Sequence, residues 1–269
     1  MTICIYYFSG TGNTAWVVER LAAHLAELGH TVTATSCEHV AASVVDPKGC
    51  DAIGICFPVH GSFAPRTFRD FLEELPAGLG RPVFVVTTAA YFAGDTAWYA
   101  TRPLQDKGYQ PFLLGNVVMP NNIRLPVLSP LAIPSREKVA RGLVSAERKT
   151  RKLADLIHRG SAHVEGTGLA GRLLGAMQRR FYDRTVALAF RGFFSDSSCT
   201  RCGWCVQHCP VRNIELAEAG VRFRDKCILC MRCYSFCPEE AIQSTERTKN
   251  ANRYPRYQGP LGKPYPIEQ

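Results

Sequence analysis

The chemistry that can be read most directly from the sequence lies in residues 199–237, which hold eight of the twelve cysteines. Cys199, Cys202, Cys205 and Cys209 are followed by Pro210, and Cys227, Cys230, Cys233 and Cys237 by Pro238. The run C-x2-C-x2-C-x3-C-P therefore occurs twice, the second copy displaced by 28 residues, and the same displacement carries Ile214 onto Ile242. Thiolates separated by two residues can wrap one iron–sulfur cube, because the short backbone between them turns inward and aims its N–H groups at the sulfurs. In chains of this pattern the proline turns the backbone away and the fourth cysteine ligates the other cluster. Two 4Fe-4S clusters are expected, one on Cys199, Cys202, Cys205 and Cys237, the other on Cys227, Cys230, Cys233 and Cys209. Zinc sites favour cysteine pairs across a long gap, which is not this pattern. Eight such cysteines without a secretory signal indicate metal binding in a reducing compartment rather than disulfides. Cys4, Cys37, Cys50 and Cys56 lack ligand spacing; Cys4 and Cys56 fall in buried-strand patterns, where cysteine acts as a small hydrophobe, and none of the four is assigned chemistry.

A second candidate site is FSGTGNT, residues 8–14. Two glycines allow a tight turn, and Ser9, Thr11, Asn13 and Thr14 add neutral donors to the backbone N–H groups of Gly10 and Gly12 at a helix start. Such a loop cradles a phosphate. It has no lysine, so it is not a Walker loop, and it lacks the G-x-G-x-x-G spacing of a dinucleotide fingerprint.

Alternating elements must position this loop. Residues 2–8 read as a strand, 14–28 as an amphipathic helix, 31–36 as a strand, and 51–58 as a strand buried on both faces. A helix over 66–75, a buried strand over 81–90, a helix over 95–107, a strand over 110–118 and a helix over 135–157 follow. Five such units predict an α/β domain with a doubly wound, five-stranded parallel sheet. Residues 119–134 hold four prolines and leave the carboxyl edge of the last strand, so they read either as a lid over a ligand or as a passive crossover.

On these residues the chain resembles two families joined together. The FSGTGNT loop on five βα units resembles the FMN-phosphate loop of flavodoxins, over residues 1–159. The cysteine run resembles the bacterial two-cluster ferredoxins, a small α+β domain, over 196–242. The resemblance implies FMN as cofactor and places its ring between the loops at 57–65 and 88–95. Ring contacts would then fall on Pro58, Val59, His60 and Gly61 and on Thr88, Ala89, Ala90, Tyr91, Phe92 and Gly94. Tyr91 and Phe92 would stack on the ring or belong to the core. His60 would donate a proton near the ring or be a surface histidine without a role.

Neither resemblance covers 160–195, a basic helical connector, and a proline-rich tail follows from 243 to 269. Net charge is +9, concentrated in residues 136–191, which hold thirteen Lys or Arg against five Asp or Glu. Residues 168–194 mix apolar side chains with five arginines, suiting an anionic membrane, an acidic partner, or a connector whose apolar stripe packs against both domains. No nucleic-acid motif occurs. With 46% hydrophobic and 20% charged residues and no run long enough to span a bilayer, the chain reads as soluble and cytoplasmic. The expected function is electron transfer between FMN and the clusters, served by donor and acceptor proteins and by a homo-oligomer if one chain cannot bring the centres together. Reduction of a small quinone-like substrate at the flavin and a cluster-based redox sensor are the alternatives.

Overall fold

The computed structural model describes residues 1–126 and 132–264. Strand and helix alternate through β1 (Thr2–Tyr7), α1 (Asn13–Glu27), β2 (Thr31–Ser36), β3 (Ala52–Pro58), α2 (Arg66–Glu74), β4 (Pro82–Ala89), α3 (Thr96–Asp106), β5 (Gln110–Val118) and α4 (Arg136–His158). The continuous apolar runs of β3 and β4 are buried on both faces, as parallel central strands require. Helices α1 and α4 cover one face with Val17, Leu21, Leu25, Leu153 and Ile157, while α2 and α3 cover the other with Phe68, Leu72 and Leu104.

The sheet has six strands, not the five expected, in the order β2-β1-β3-β4-β5-β6. The added strand β6 (His163–Val164) runs parallel to β5. What fixes it is Glu165, whose amide donates to Leu114 O at 3.1 Å and whose carboxylate accepts from the Asn116 amide at 2.9 Å and pairs with Lys149. A two-residue strand has too little period to be read from sequence. The first five strands keep the flavodoxin-like order, whose reversal lies between β1 and β3.

The connector forms α5 (Leu169–Phe190), and a small C-terminal lobe contains β7 (Phe194–Ser195), α6 (Trp204–Gln207), β8 (Ile214–Ala217), β9 (Gly220–Phe223), α7 (Arg232–Phe236) and β10 (Ile242–Gln243). Strand β7 pairs with β10 and β8 with β9, both antiparallel. The sequence duplication is repeated in the backbone. Arg201 and Leu229, Gly203 and Met231, and Arg212 and Glu240, each pair 28 positions apart, all have positive φ. Non-glycine residues there cost about 1–2 kcal/mol each, a strain incurred twice at equivalent points of the cysteine loops.

The lobes interlock rather than abut. Ile228, inside the second cysteine motif, is buried in the α2/α3-side core of the α/β domain. Leu125, from the segment after β5, is buried in the core of the C-terminal lobe. Cys4 and Cys50 correct the sequence reading: they are joined in a disulfide, with Cα atoms 5.9 Å apart. The pairing links β1 to the turn before β3 and has no spacing signature. Cys56 remains a small buried hydrophobe, its thiol pushed up to about 12 by burial. Among the described residues, no helix is long and apolar enough to cross a membrane.

Candidate functional site at the junction of the lobes

The loop after β1 enters α1 through Gly12, which caps the helix at φ 94°, a backbone conformation open to glycine. Ser9 Oγ accepts from the Ala15 amide at 3.2 Å, and the Thr14 and Thr88 hydroxyls meet at 2.8 Å. Asn13 donates to Pro120 O at 2.9 Å and accepts from the Tyr257 hydroxyl at 2.6 Å, while Asn122 donates to Thr11 Oγ1 at 2.6 Å. The loop is thus held by the segment after β5 and by the C-terminal tail. The tail wraps the surface as far as residue 264; residues 265–269 lie outside the described part.

From this loop Ser9, Gly10, Thr11, Asn13 and Thr14 line a small cavity of about 120 Å³. The loop after β3 contributes Pro58, Val59 and His60, and that after β4 contributes Thr88, Ala89 and Ala90. Met119 to Ile123 form a further wall, and Cys230 completes the lining. That is smaller than a closed small-molecule or cofactor site, about 300–1,000 Å³. Hydroxyls and backbone at a helix N-terminus dominate its loop end, a donor set suited to a phosphate monoester. Of the segment expected to be a lid or a crossover, residues 119–123 form this wall, while 127–131 lie outside the described residues.

Tyr91, Phe92, Gly12, Gly61 and Gly94 do not line the cavity. Tyr91 and Phe92 are 61% and 50% exposed, in neither the core nor the cavity. The chain after them is pinned where Gly94 packs against Gly166 and Gly171, so the tip of the loop projects outward. Gly61 instead faces the Tyr182 ring.

His60 is not a free surface histidine. Its Nδ1 meets the Tyr182 hydroxyl at 3.3 Å. Burial lowers its pKa to about 4, partly offset by a hydrogen bond with the Ile228 backbone, so the ring is neutral near pH 7. It joins the α/β domain, α5 and the second cysteine loop.

The cysteines gather in two sets. The Cys205 thiol is pushed up to about 11 by burial and then by Cys237, Cys199 and Cys202 beside it. Cys233 is raised by burial and then by Cys230, Cys227 and Cys209. The cysteines that act on Cys205 and on Cys233 are, in each case, two others of the same motif and the last of the other motif, with Cys205 also acting on Cys233. Backbone N–H groups point at sulfur, from Asn213 to Cys209 at 3.2 Å and from Leu229 to Cys227 at 3.4 Å. Cysteines with such neighbours, two of them under amide donors and near buried Ile214, Ile242 and Phe236, suit iron–sulfur ligation.

Sequence reasoning missed Arg232, which lies between Cys230 and Cys233. Its side chain is 2% exposed, and its guanidinium donates to Ser9 O at 2.8 Å, Gly10 O at 3.1 Å, His208 O at 2.9 Å and both oxygens of Glu38 at 2.7 and 2.8 Å. Because a trans peptide sets N–H opposite C=O, holding those two carbonyls directs the Gly10 and Thr11 amides the other way. A residue of the second cysteine motif thus orients the phosphate-type loop. Gly10 packs so closely on the motif that an added Cβ would collide with Cys230 O.

Helix α5 divides the apolar positions of the connector: Val186 and Phe190 pack with Ala189 on the core of the C-terminal lobe, while Leu173, Met177, Phe181 and Leu188 are exposed. Toward the α/β domain its contacts include polar ones: Gln178 accepts from Ser62 Oγ at 2.7 Å, and Arg179 donates to both oxygens of buried Asp95 at 2.6 and 2.8 Å and to Ser62 O at 3.1 Å. The helix therefore straps both candidate ring loops. Five arginines in the segment suggested a cationic face, but only the fold reveals which arginine turns inward.

A flavodoxin-domain family profile matches residues 4–129, and a 4Fe-4S dicluster-domain profile matches residues 192–238. No curated protein matches the sequence. Among solved structures, a flavodoxin from the domain Archaea is 15% identical, with 58% of this chain and 99% of that chain covered at a TM-score of 0.41. The Streptococcus pneumonia TIGR4 flavodoxin is 20% identical, covering 58% and 99% at 0.40. Oxidised Flavodoxin 2 from Bacillus cereus is 19% identical, covering 59% and 99% at 0.41.

Proposed function

Starting from a chain that is a flavodoxin–ferredoxin fusion, we propose that it carries electrons within one polypeptide between FMN at the cavity beside the phosphate-type loop and two 4Fe-4S clusters in the C-terminal lobe. When bound, FMN exchanges electrons singly or in pairs and each cluster exchanges one, so the protein would link two-electron and one-electron carriers. The observation that carries this reading is Cys230, which belongs to the second thiol set and also lines the cavity with Ser9, Thr14 and Thr88.

The chain's own groups divide the work. Ser9, Thr11, Asn13, Thr14 and the amides oriented by Arg232 would hold the phosphate, while Pro58, Val59 and His60 and Thr88, Ala89 and Ala90 would border the ring. Cys199, Cys202, Cys205 and Cys237 would hold one cluster and Cys227, Cys230, Cys233 and Cys209 the other. Neutral His60 keeps uncompensated positive charge out of the seam between them. Donor and acceptor would be redox proteins or small carriers.

The test is anaerobic reductive titration of the reconstituted protein, with iron, sulfide and flavin quantified on the same sample and optical and EPR spectra recorded. About eight irons and one FMN per chain, both kinds of centre being reduced from one donor, support the proposal. Clusters without FMN would refute it. Turnover of a quinone-like compound under the wall formed by Met119 to Ile123 would make the protein a reductase rather than a carrier.

A further inference from the structure

The two faces of α5 differ in a way that the electron-transfer reading does not use. Inward, the contacts of Gln178 and Arg179 with Ser62 and Asp95, and of Tyr182 with His60, fix the rotation of the helix about its axis. The side chains that this rotation sends outward are Leu169, Leu173, Met177, Phe181 and Leu188, each between 51% and 76% exposed. The first four recur every four residues and form one ridge. Among the described side chains, the other exposed positions on the helix are Ala170, Ala176 and Ala187 and the arginines Arg172, Arg180 and Arg184. The described exposed face therefore combines apolar side chains with guanidinium groups.

Single exposed apolar residues are ordinary, but a continuous ridge of them is not. Nor does the ridge end with the helix. The segment before α5 packs through Gly166 on Gly94, whose loop holds Tyr91 and Phe92 outward. Two aromatic rings thus extend the patch from the first turn of α5 toward Ala89 and Ala90 at the cavity wall.

We propose that the outward face of α5, with Tyr91 and Phe92, docks this protein on an anionic lipid surface. A helix of 22 residues lies about 33 Å long, and a straight convex ridge suits a deformable planar interface. Leucine, methionine and phenylalanine would enter the boundary between headgroups and acyl chains, while the arginines bury their stems and extend their charges to lipid phosphates. Tyrosine is suited to the same interfacial depth. The guanidinium groups complement an anionic surface, which attracts each basic residue held close to it.

The test uses the full chain with its flavin and clusters in place. Co-flotation is measured with vesicles of phosphatidylcholine containing 30% phosphatidylglycerol, and with phosphatidylcholine alone, at about 0.15 M salt. The expected result is binding to the anionic vesicles at least tenfold tighter than to the neutral ones. Substitution L173S/M177S/F181S should lower that binding at least tenfold while flavin and iron content stay at the parent level, which separates lost docking from lost folding. A fluorophore on Met177→Cys should shift to the blue on anionic vesicles. No binding to anionic vesicles, or binding that the triple substitution leaves intact, overturns the proposal. Self-association in sedimentation that the triple substitution abolishes, without vesicle binding, would show a second copy on this face and also overturn it.

Discussion

Gly10 of the phosphate-type loop lies directly on the backbone carbonyl of Cys230, close enough to exclude a Cβ. One contact therefore joins the candidate flavin site to the candidate cluster site. Gly10 does not have a positive φ, so Gly10→Ala tests the approach rather than the local backbone. We expect the substitution to push the loops apart at a cost of about 1–3 kcal/mol, lowering FMN affinity and slowing flavin–cluster exchange while the far-UV spectrum is unchanged. Parent-level flavin affinity and exchange would show that the contact is dispensable.

Arg232 and Glu38 form the charged core of the same seam. Replacing Arg232 with Met leaves the Glu38 carboxylate without its guanidinium and frees the Ser9 and Gly10 carbonyls, an expected loss of about 3–5 kcal/mol. Glu38→Gln in the same background should restore part of it. Denaturant unfolding of the single and double variants gives the coupling directly, and strictly additive effects would mean that the two side chains act independently.

The two thiol sets are not equivalent toward the flavin. Cys230 lines the cavity and its motif supplies Arg232 and Ile228, whereas Cys202 is exposed and contributes nothing to the lining. Cys230→Ser should therefore weaken both cluster and FMN binding, while Cys202→Ser should reduce iron content with FMN affinity close to that of the parent. Equal flavin loss in both variants contradicts the arrangement.

His60 gives the seam a pH dependence of defined sign. Burial lowers its pKa from 6.5 to about 4, so folding favours the neutral ring. Its contribution is complete above about pH 6.5 and is lost as the pH falls through about 4. Between pH 8 and 5, the unfolding free energy of the parent should fall more than that of His60→Gln. Parallel profiles would remove His60 from the linkage.

The parts legible in the sequence were those fixed by local chemistry. Thiol spacing repeats at 28 residues, the FSGTGNT loop sits between an apolar strand and an amphipathic helix, and β3 and β4 are continuous apolar runs; each pattern needs only neighbouring residues to declare itself. What escaped depends on distant partners. Arg232 looks like an ordinary spacer between two cysteines until its guanidinium is found on Ser9 and Gly10. Leu125 sits in a proline-rich stretch with no period, and its burial in the C-terminal core follows only from the docking of the lobes. Strand β6 rests on the carboxylate of Glu165 rather than on strand propensity. Helix α5 shows both residue classes in its sequence, but Asp95 decides which side turns inward.

In the proposed function, flavin and cluster would exchange electrons inside one chain through the seam at Cys230 and Gly10. The most direct test is rapid anaerobic mixing of the fully loaded protein with a substoichiometric reductant, following flavin absorbance and cluster EPR at several protein concentrations. After the initial reduction, redistribution between flavin and cluster is expected to be first order, with a rate constant independent of protein concentration. A rate constant rising in proportion to concentration would show that electrons pass only between molecules, and would contradict it.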